Sequence, residues 1–147
     1  MIPHFQVNGN LPPGIHLASF EEVYARYGTN GYRKQLLGGM YEAFHALKIA
    51  GCDVVYLDGS FVTTKKYPND YDCCYNPMNI QFELLDRLFW DRTRGWRERQ
   101  KFRFRGEFYP SSTIEGGSSK SFLLFFQTDR DTGEPKGIVK ITLGDFP

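Results

Sequence analysis

Apolar residues recur at threes and fours through Leu36, Leu37, Met40, Phe44, Leu47 and Ala50, the stripe of an amphipathic helix that ends at Gly51. Thr29 or Asn30 is placed to cap its start. Gly38-Gly39 inside it costs about 1 kcal/mol per glycine relative to alanine. That cost points to close packing there, with the sheet as the candidate neighbour. Upstream, Ser19-Phe20-Glu21-Glu22 has the form of a capping box and opens a shorter helix that runs to Tyr27 and stops at Gly28. Downstream, Ile80, Phe82, Leu84, Leu85, Leu88 and Phe89 supply the apolar side of a helix predicted over 79–90.

Elsewhere the pattern is that of strands. Val54-Val55-Tyr56-Leu57 is an apolar, β-branched run, a strand predicted over 53–58 that ends at Gly59-Ser60. A second strand is predicted over 70–75. From Phe102 to Tyr109, Phe102, Phe104, Gly106 and Phe108 alternate with Arg103, Arg105, Glu107 and Tyr109, the period of a strand over 102–109. The compact apolar run Phe122 to Phe126 predicts a strand over 121–127, and Asp131-Thr132-Gly133 a hairpin turn. A last strand over 136–143 alternates Ile138, Lys140 and Thr142 with Val139, Ile141 and Leu143. Asn8-Gly9-Asn10 and Pro12-Pro13-Gly14 mark residues 1–14 as an extended arm laid over the domain. The fold class is therefore α/β (α+β): one domain over 1–147, with a mixed, twisted sheet and helices mainly on one face.

Composition adjusts this picture in a few places. Aromatic residues make up 16% of the 147, which argues against disorder. A net charge of +1 leaves any affinity for polyanions to a local patch. One such stretch interleaves Arg92, Arg94, Arg97, Arg99, Lys101, Arg103 and Arg105 with Trp96, Phe102 and Phe104, a mixture able to contact phosphates and stack on bases. The other reading is an exposed edge, with Phe102 and Phe104 facing inward and the arginines outward. No basic leader with an apolar core opens the chain, and no apolar run has the length of a membrane span. Cys52, Cys73 and Cys74 are odd in number and suit neither a disulfide framework nor a zinc knuckle, so they read as reduced core thiols of a cytoplasmic protein. His16 and His45 read as surface or packing residues.

The candidate chemistry lies where the first of these strands meets the second. Nine residues separate Ser60 from Asp70-Tyr71-Asp72. Residues two apart on a strand share a face, so Asp70 and Asp72 project together. Two like charges held that close are costly unless a cation sits between them, and Mg²⁺ prefers oxygen ligands. Gly59 allows close backbone approach, while Ser60 can donate through its amide and its hydroxyl. The spacing describes a place for a triphosphate and its metals. Arg33, Lys34, Lys65 and Lys66 are placed either to face an anionic ligand or to be ordinary solvated cations. Glu107 is a further strand carboxylate, with a salt bridge to Arg103 or Arg105 as its alternative.

Gly59-Ser60, the nine-residue spacer and Asp70-Tyr71-Asp72-Cys73 resemble the signature of the nucleotidyltransferase superfamily, whose founding member is DNA polymerase β. More closely, Leu11-Pro12-Pro13-Gly14, Tyr56-Leu57-Asp58-Gly59-Ser60-Phe61-Val62-Thr63 and Phe125-Phe126-Gln127-Thr128-Asp129-Arg130 look like a functionally uncharacterised family of small, stand-alone bacterial proteins of this fold. The resemblance implies that Gly59 and Ser60, with Thr63 and Lys65, hold the phosphates of a nucleoside triphosphate. It implies that Asp70 and Asp72 bind Mg²⁺ (or Mn²⁺), with Glu107 as the candidate third ligand. The implied reaction moves a nucleoside monophosphate to a hydroxyl of RNA, a protein or a small molecule, as toxin-type relatives do. The chain has no second domain of the sort that grips the acceptor in larger members. Two other readings therefore stand beside the enzyme: a non-catalytic triphosphate-binding module, and an interaction protein with an antitoxin or a second copy of itself as partner.

Overall fold

The computed structural model describes all 147 residues. Nine regular elements follow in order: β1 (Gly14–Leu17), α1 (Phe20–Tyr27), α2 (Gly31–Ile49), β2 (Val54–Asp58), β3 (Tyr71–Tyr75), α3 (Trp96–Phe104), β4 (Gly106–Pro110), α4 (Phe122–Phe126) and β5 (Gly137–Thr142). The strands form one sheet in the order β1-β5-β2-β3-β4. β2 pairs antiparallel with β3 and β5, whereas β1–β5 and β3–β4 are parallel, so the sheet is mixed and the class is α+β. No helix is long and apolar enough to cross a membrane.

The two predicted caps form. Ser19 Oγ accepts from the Glu22 amide at 3.1 Å, and Asn30 Oδ1 accepts from the Arg33 amide at 2.8 Å. Each satisfies an amide that the first helical turn leaves without a partner. α2 buries Leu36, Leu37, Met40, Ala43, Phe44 and Leu47 against Val55, Leu57, Tyr71, Cys73, Val139 and Ile141, the alternate residues of the central strands. Burying a side chain of this size contributes about 1.5–3 kcal/mol, which makes this layer the bulk of the core. The other sheet face carries a smaller cluster of Cys74, Tyr109, Phe126 and Ile138, covered by α4. All three cysteines are buried free thiols. The N-terminal arm is pinned by Arg26, which donates to the Ile2 and Pro3 carbonyls at 3.2 and 2.7 Å.

Several elements differ from the sequence pattern, each for a physical reason. The predicted strand over 102–109 is half helix: α3 runs to Phe104, and Arg105 at φ +66° turns the chain into β4. Spacing by four decides it, because Gln100 and Phe104 are buried while Phe102 is 92% exposed. The predicted strand over 121–127 is helix α4, capped by Ser121 Oγ, which accepts from the Leu124 amide at 3.3 Å. An uninterrupted apolar run has no period, so the serine cap is what distinguishes the two forms. The predicted helix over 79–90 is two 3-10 turns, Phe82–Leu84 and Arg87–Phe89. Its backbone is drawn elsewhere: the Gln81 amide donates to the Ala50 carbonyl at 2.8 Å, and the Tyr75 hydroxyl to the Phe89 carbonyl at 3.1 Å. β1 follows the arm as a short edge strand that the sequence pattern does not show. Gly39 does pack closely, but against the end of α3: a Cβ there would lie 2.2 Å from the Phe104 carbonyl oxygen.

Candidate active site

Strand register assembles the acidic residues. Asp58, the last residue of β2, pairs across the ladder with Asp72 of β3, and Asp72 pairs with Glu107 of β4. Directly paired residues share a face and sit about 5 Å apart at Cβ, so three carboxylates stand in a row across three strands. Asp70, one residue before β3, projects to the same side as Asp72. The sequence-predicted Asp70, Asp72 and Glu107 are thus brought into one neighbourhood, and Asp58 joins them.

Two lysines offset part of this charge. Lys101 Nζ lies 3.4 Å from Asp70 Oδ2 and 3.2 Å from Glu107 Oε1. Lys136 Nζ lies 3.1 Å from Asp58 Oδ1. That contact is an ion pair without hydrogen-bond geometry, and Asp58 Oδ1 is a buried oxygen with no hydrogen bond. Glu107 also accepts from the Tyr109 hydroxyl at 2.8 Å. The salt bridge of Glu107 is therefore with Lys101, not with Arg103 or Arg105; Arg103 pairs instead with Glu42 at 2.7 Å. The Asp72 carboxylate has neither ion pair nor hydrogen bond. Burial, followed by the charges of Asp70, Asp58 and Glu107, pushes its carboxyl up to about 7. Burial also raises the Asp58 and Asp70 carboxyls, opposed by Lys136 and Lys101 respectively.

Gly59 forms the corner beside Asp72. Its φ of +86° and ψ of −175° belong to a region that side chains rarely enter, and a Cβ there would lie 2.9 Å from Asp72 Oδ2. Ser60 starts the 3-10 turn Ser60–Val62. Thr63 then closes the loop, its hydroxyl donating to the Ser60 carbonyl at 2.6 Å and accepting from the Lys65 amide at 3.2 Å. Gly59, Ser60, Thr63, Lys65, Asp70 and Asp72 all line one cleft of ≈450 Å³. Glu107 does not; Lys101 links it to Asp70. The far wall brings Arg130 and Lys136, together with Asp129 and Asp131, none of which sequence reasoning placed at the site. Asp58, which sequence reasoning also left out of the site, adjoins Gly59-Ser60 at the strand end, the signal that points to it. Lys136 carried no local signal, because only the pairing of β5 with β2 delivers it.

The basic stretch mostly serves the fold. Arg92 stacks over Trp96 at 3.8 Å and donates to the Phe108 carbonyl at 3.2 Å, and Arg99 donates to the Arg94 carbonyl at 2.7 Å. Arg33 is neither a solvated helix cation nor a wall of the acidic cleft. It is 3% exposed and donates to the carbonyls of Phe61 at 2.8 Å and Thr63 at 3.1 Å, and to that of Lys65, holding the loop between β2 and β3. Lys34 remains on the exposed face of α2.

Whether a divalent cation suits these residues turns on the donors. No three His, Cys, Asp or Glu side chains are placed as a closed metal cage. Mg²⁺ commonly takes one or two carboxylates and completes its shell with water and substrate phosphates. Asp70 and Asp72 are such a pair, opening on the cleft, and Asp72 carries the uncompensated charge that a cation would relieve. The donor set fits.

No curated protein and no solved structure matches the chain. The model of a family of unknown function (DUF6932) matches residues 3–142, and the chain belongs to that family.

Proposed function

We propose that this cleft binds a nucleoside triphosphate with Mg²⁺ (or Mn²⁺) and transfers its nucleoside monophosphate to a hydroxyl acceptor, releasing pyrophosphate and, to solvent, the hydroxyl's proton. One observation carries the reading: a carboxylate without a partner, Asp72, stands against a glycine–serine corner in a cleft that also holds Lys65, Arg130 and Lys136. Asp70 and Asp72 would hold the ion, which supplies charge neutralisation for the phosphates and acidifies the attacking hydroxyl. Gly59, lacking a Cβ, leaves room beside Asp72, and Ser60 offers its amide and hydroxyl to phosphate oxygens. Lys65, Arg130 and Lys136 supply positive charge on the cleft walls. RNA, a protein or a small molecule remains the acceptor class in this proposal, with the cytoplasm as the compartment and an antitoxin or a second copy as partner.

A second reading has an observation of its own. Lys101 spans Asp70 and Glu107, as a cation would in a domain that keeps the fold but binds triphosphate, or a protein partner, without turnover. Incubation with α-labelled triphosphates, Mn²⁺ and candidate acceptors separates the two. Transfer by the wild type and none by folded Asp72→Ala supports the enzyme. Triphosphate binding without transfer by either supports the module.

A further inference from the structure

On the other side of the loop between β2 and β3 lies a pocket of ≈360 Å³ with the opposite electrostatic character. Arg26, Arg33, Lys65 and Lys66 line it, and no carboxylate does. None of these four cations makes an ion pair. Arg33 is buried with only carbonyl oxygens for partners, and Arg26 likewise donates to carbonyls. Carbonyl dipoles satisfy the donors but leave the net charge in place, and a buried charge without a counter-charge is costly. Tyr27, 1% exposed, also lines the pocket. Thr29, Thr63 and Thr64 add neutral groups to the wall.

We infer that this pocket is a second, anion-binding site, suited to a phosphate group whether free or esterified. A phosphate oxyanion brings the counter-charge that the four cations lack and accepts hydrogen bonds from the exposed lysines, while Arg33, whose donors are taken by carbonyls, contributes its charge. The site does not depend on divalent metal and is separate from the acidic cleft, although Thr63 and Lys65 line both.

Metal dependence distinguishes the two sites. In EDTA at pH 7.5, the acidic cleft repels anions, so calorimetric titration of the full chain with pyrophosphate, AMP and adenosine reports on the cationic pocket. Pyrophosphate or AMP should bind and adenosine should not. Lys66→Gln, an exposed position outside the acidic cleft, should weaken that binding about tenfold, the loss of one charge-assisted contact. The control Lys34→Gln, on the exposed face of α2, should leave it within about twofold. Absence of binding by both phosphate compounds, adenosine binding as tightly as AMP, or equal affinity in wild type and Lys66→Gln would overturn the inference. None of these results bears on metal-dependent transfer, which can stand or fall separately.

Discussion

Asp72 concentrates the tension of the molecule in one side chain. Its carboxyl releases a proton near 3.8 in the unfolded chain and at about 7 in the folded one. Between those values the folded state holds more protons, so this group makes stability fall as pH rises through the window. At about 1.4 kcal/mol per unit, the cost at pH 8 is on the order of a few kcal/mol, shared with the neighbouring carboxylates. Asp72→Asn should therefore raise the melting temperature at pH 8 by several degrees, with the gain shrinking towards pH 4. Thermal denaturation at the two pH values checks this, and a variant less stable than wild type at pH 8 contradicts it. Gly59 is the complementary residue. With φ at +86° and Asp72 Oδ2 only 2.9 Å from where a Cβ would sit, Gly59→Ala should cost about 2 kcal/mol or more. A urea midpoint indistinguishable from wild type would show that the corner relaxes.

Among the elements, the segment from α3 into β4 decides whether Glu107 faces the other acids. Gln100 is its buried pin: its side-chain amide donates to the Leu88 carbonyl at 2.7 Å and its oxygen accepts from the Phe108 amide at 2.9 Å. Gln100→Ala removes both contacts and leaves a cavity, so a loss of about 2–4 kcal/mol is expected from chemical denaturation. A loss below 0.5 kcal/mol would mean that water replaces the side chain. This same segment shows where sequence reading reaches its limit. Phe102, Phe104 and Phe108 fit a period of two, yet only Phe104 and Phe108 are buried, because Arg105 breaks the register between helix and strand. α2 and the two caps were legible because their periodicity extends over several turns and the caps use local hydrogen bonds. α4 was not, since Phe122 to Phe126 has no polar position to set a period. Asp70 and Asp72 could be read as a pair from spacing alone. The link from Asp58 to Lys136, and from Asp70 to Glu107 through Lys101, needs tertiary pairing that no local pattern encodes.

At the scale of the whole molecule, one sheet serves two unlike surroundings. Its well-packed face rests on α1 and α2 and supplies most of the apolar burial, whereas the strand ends of β2, β3 and β4 carry the carboxylates. The loop held by Arg33 separates the acidic cleft from the cationic pocket, placing opposite charges on its two sides in a protein of net charge +1. The central claim is that the acidic side takes a divalent ion together with a triphosphate. Its most direct test is calorimetric titration of Mn²⁺ with a non-hydrolysable nucleoside triphosphate into wild type and into the double variant Asp70→Asn, Asp72→Asn, both shown folded by circular dichroism. Mn²⁺-dependent binding by the wild type is expected, weakened at least about tenfold in the double variant by loss of both charged ligands. Equal binding by the two proteins, or no Mn²⁺-dependent binding by the wild type, would contradict it.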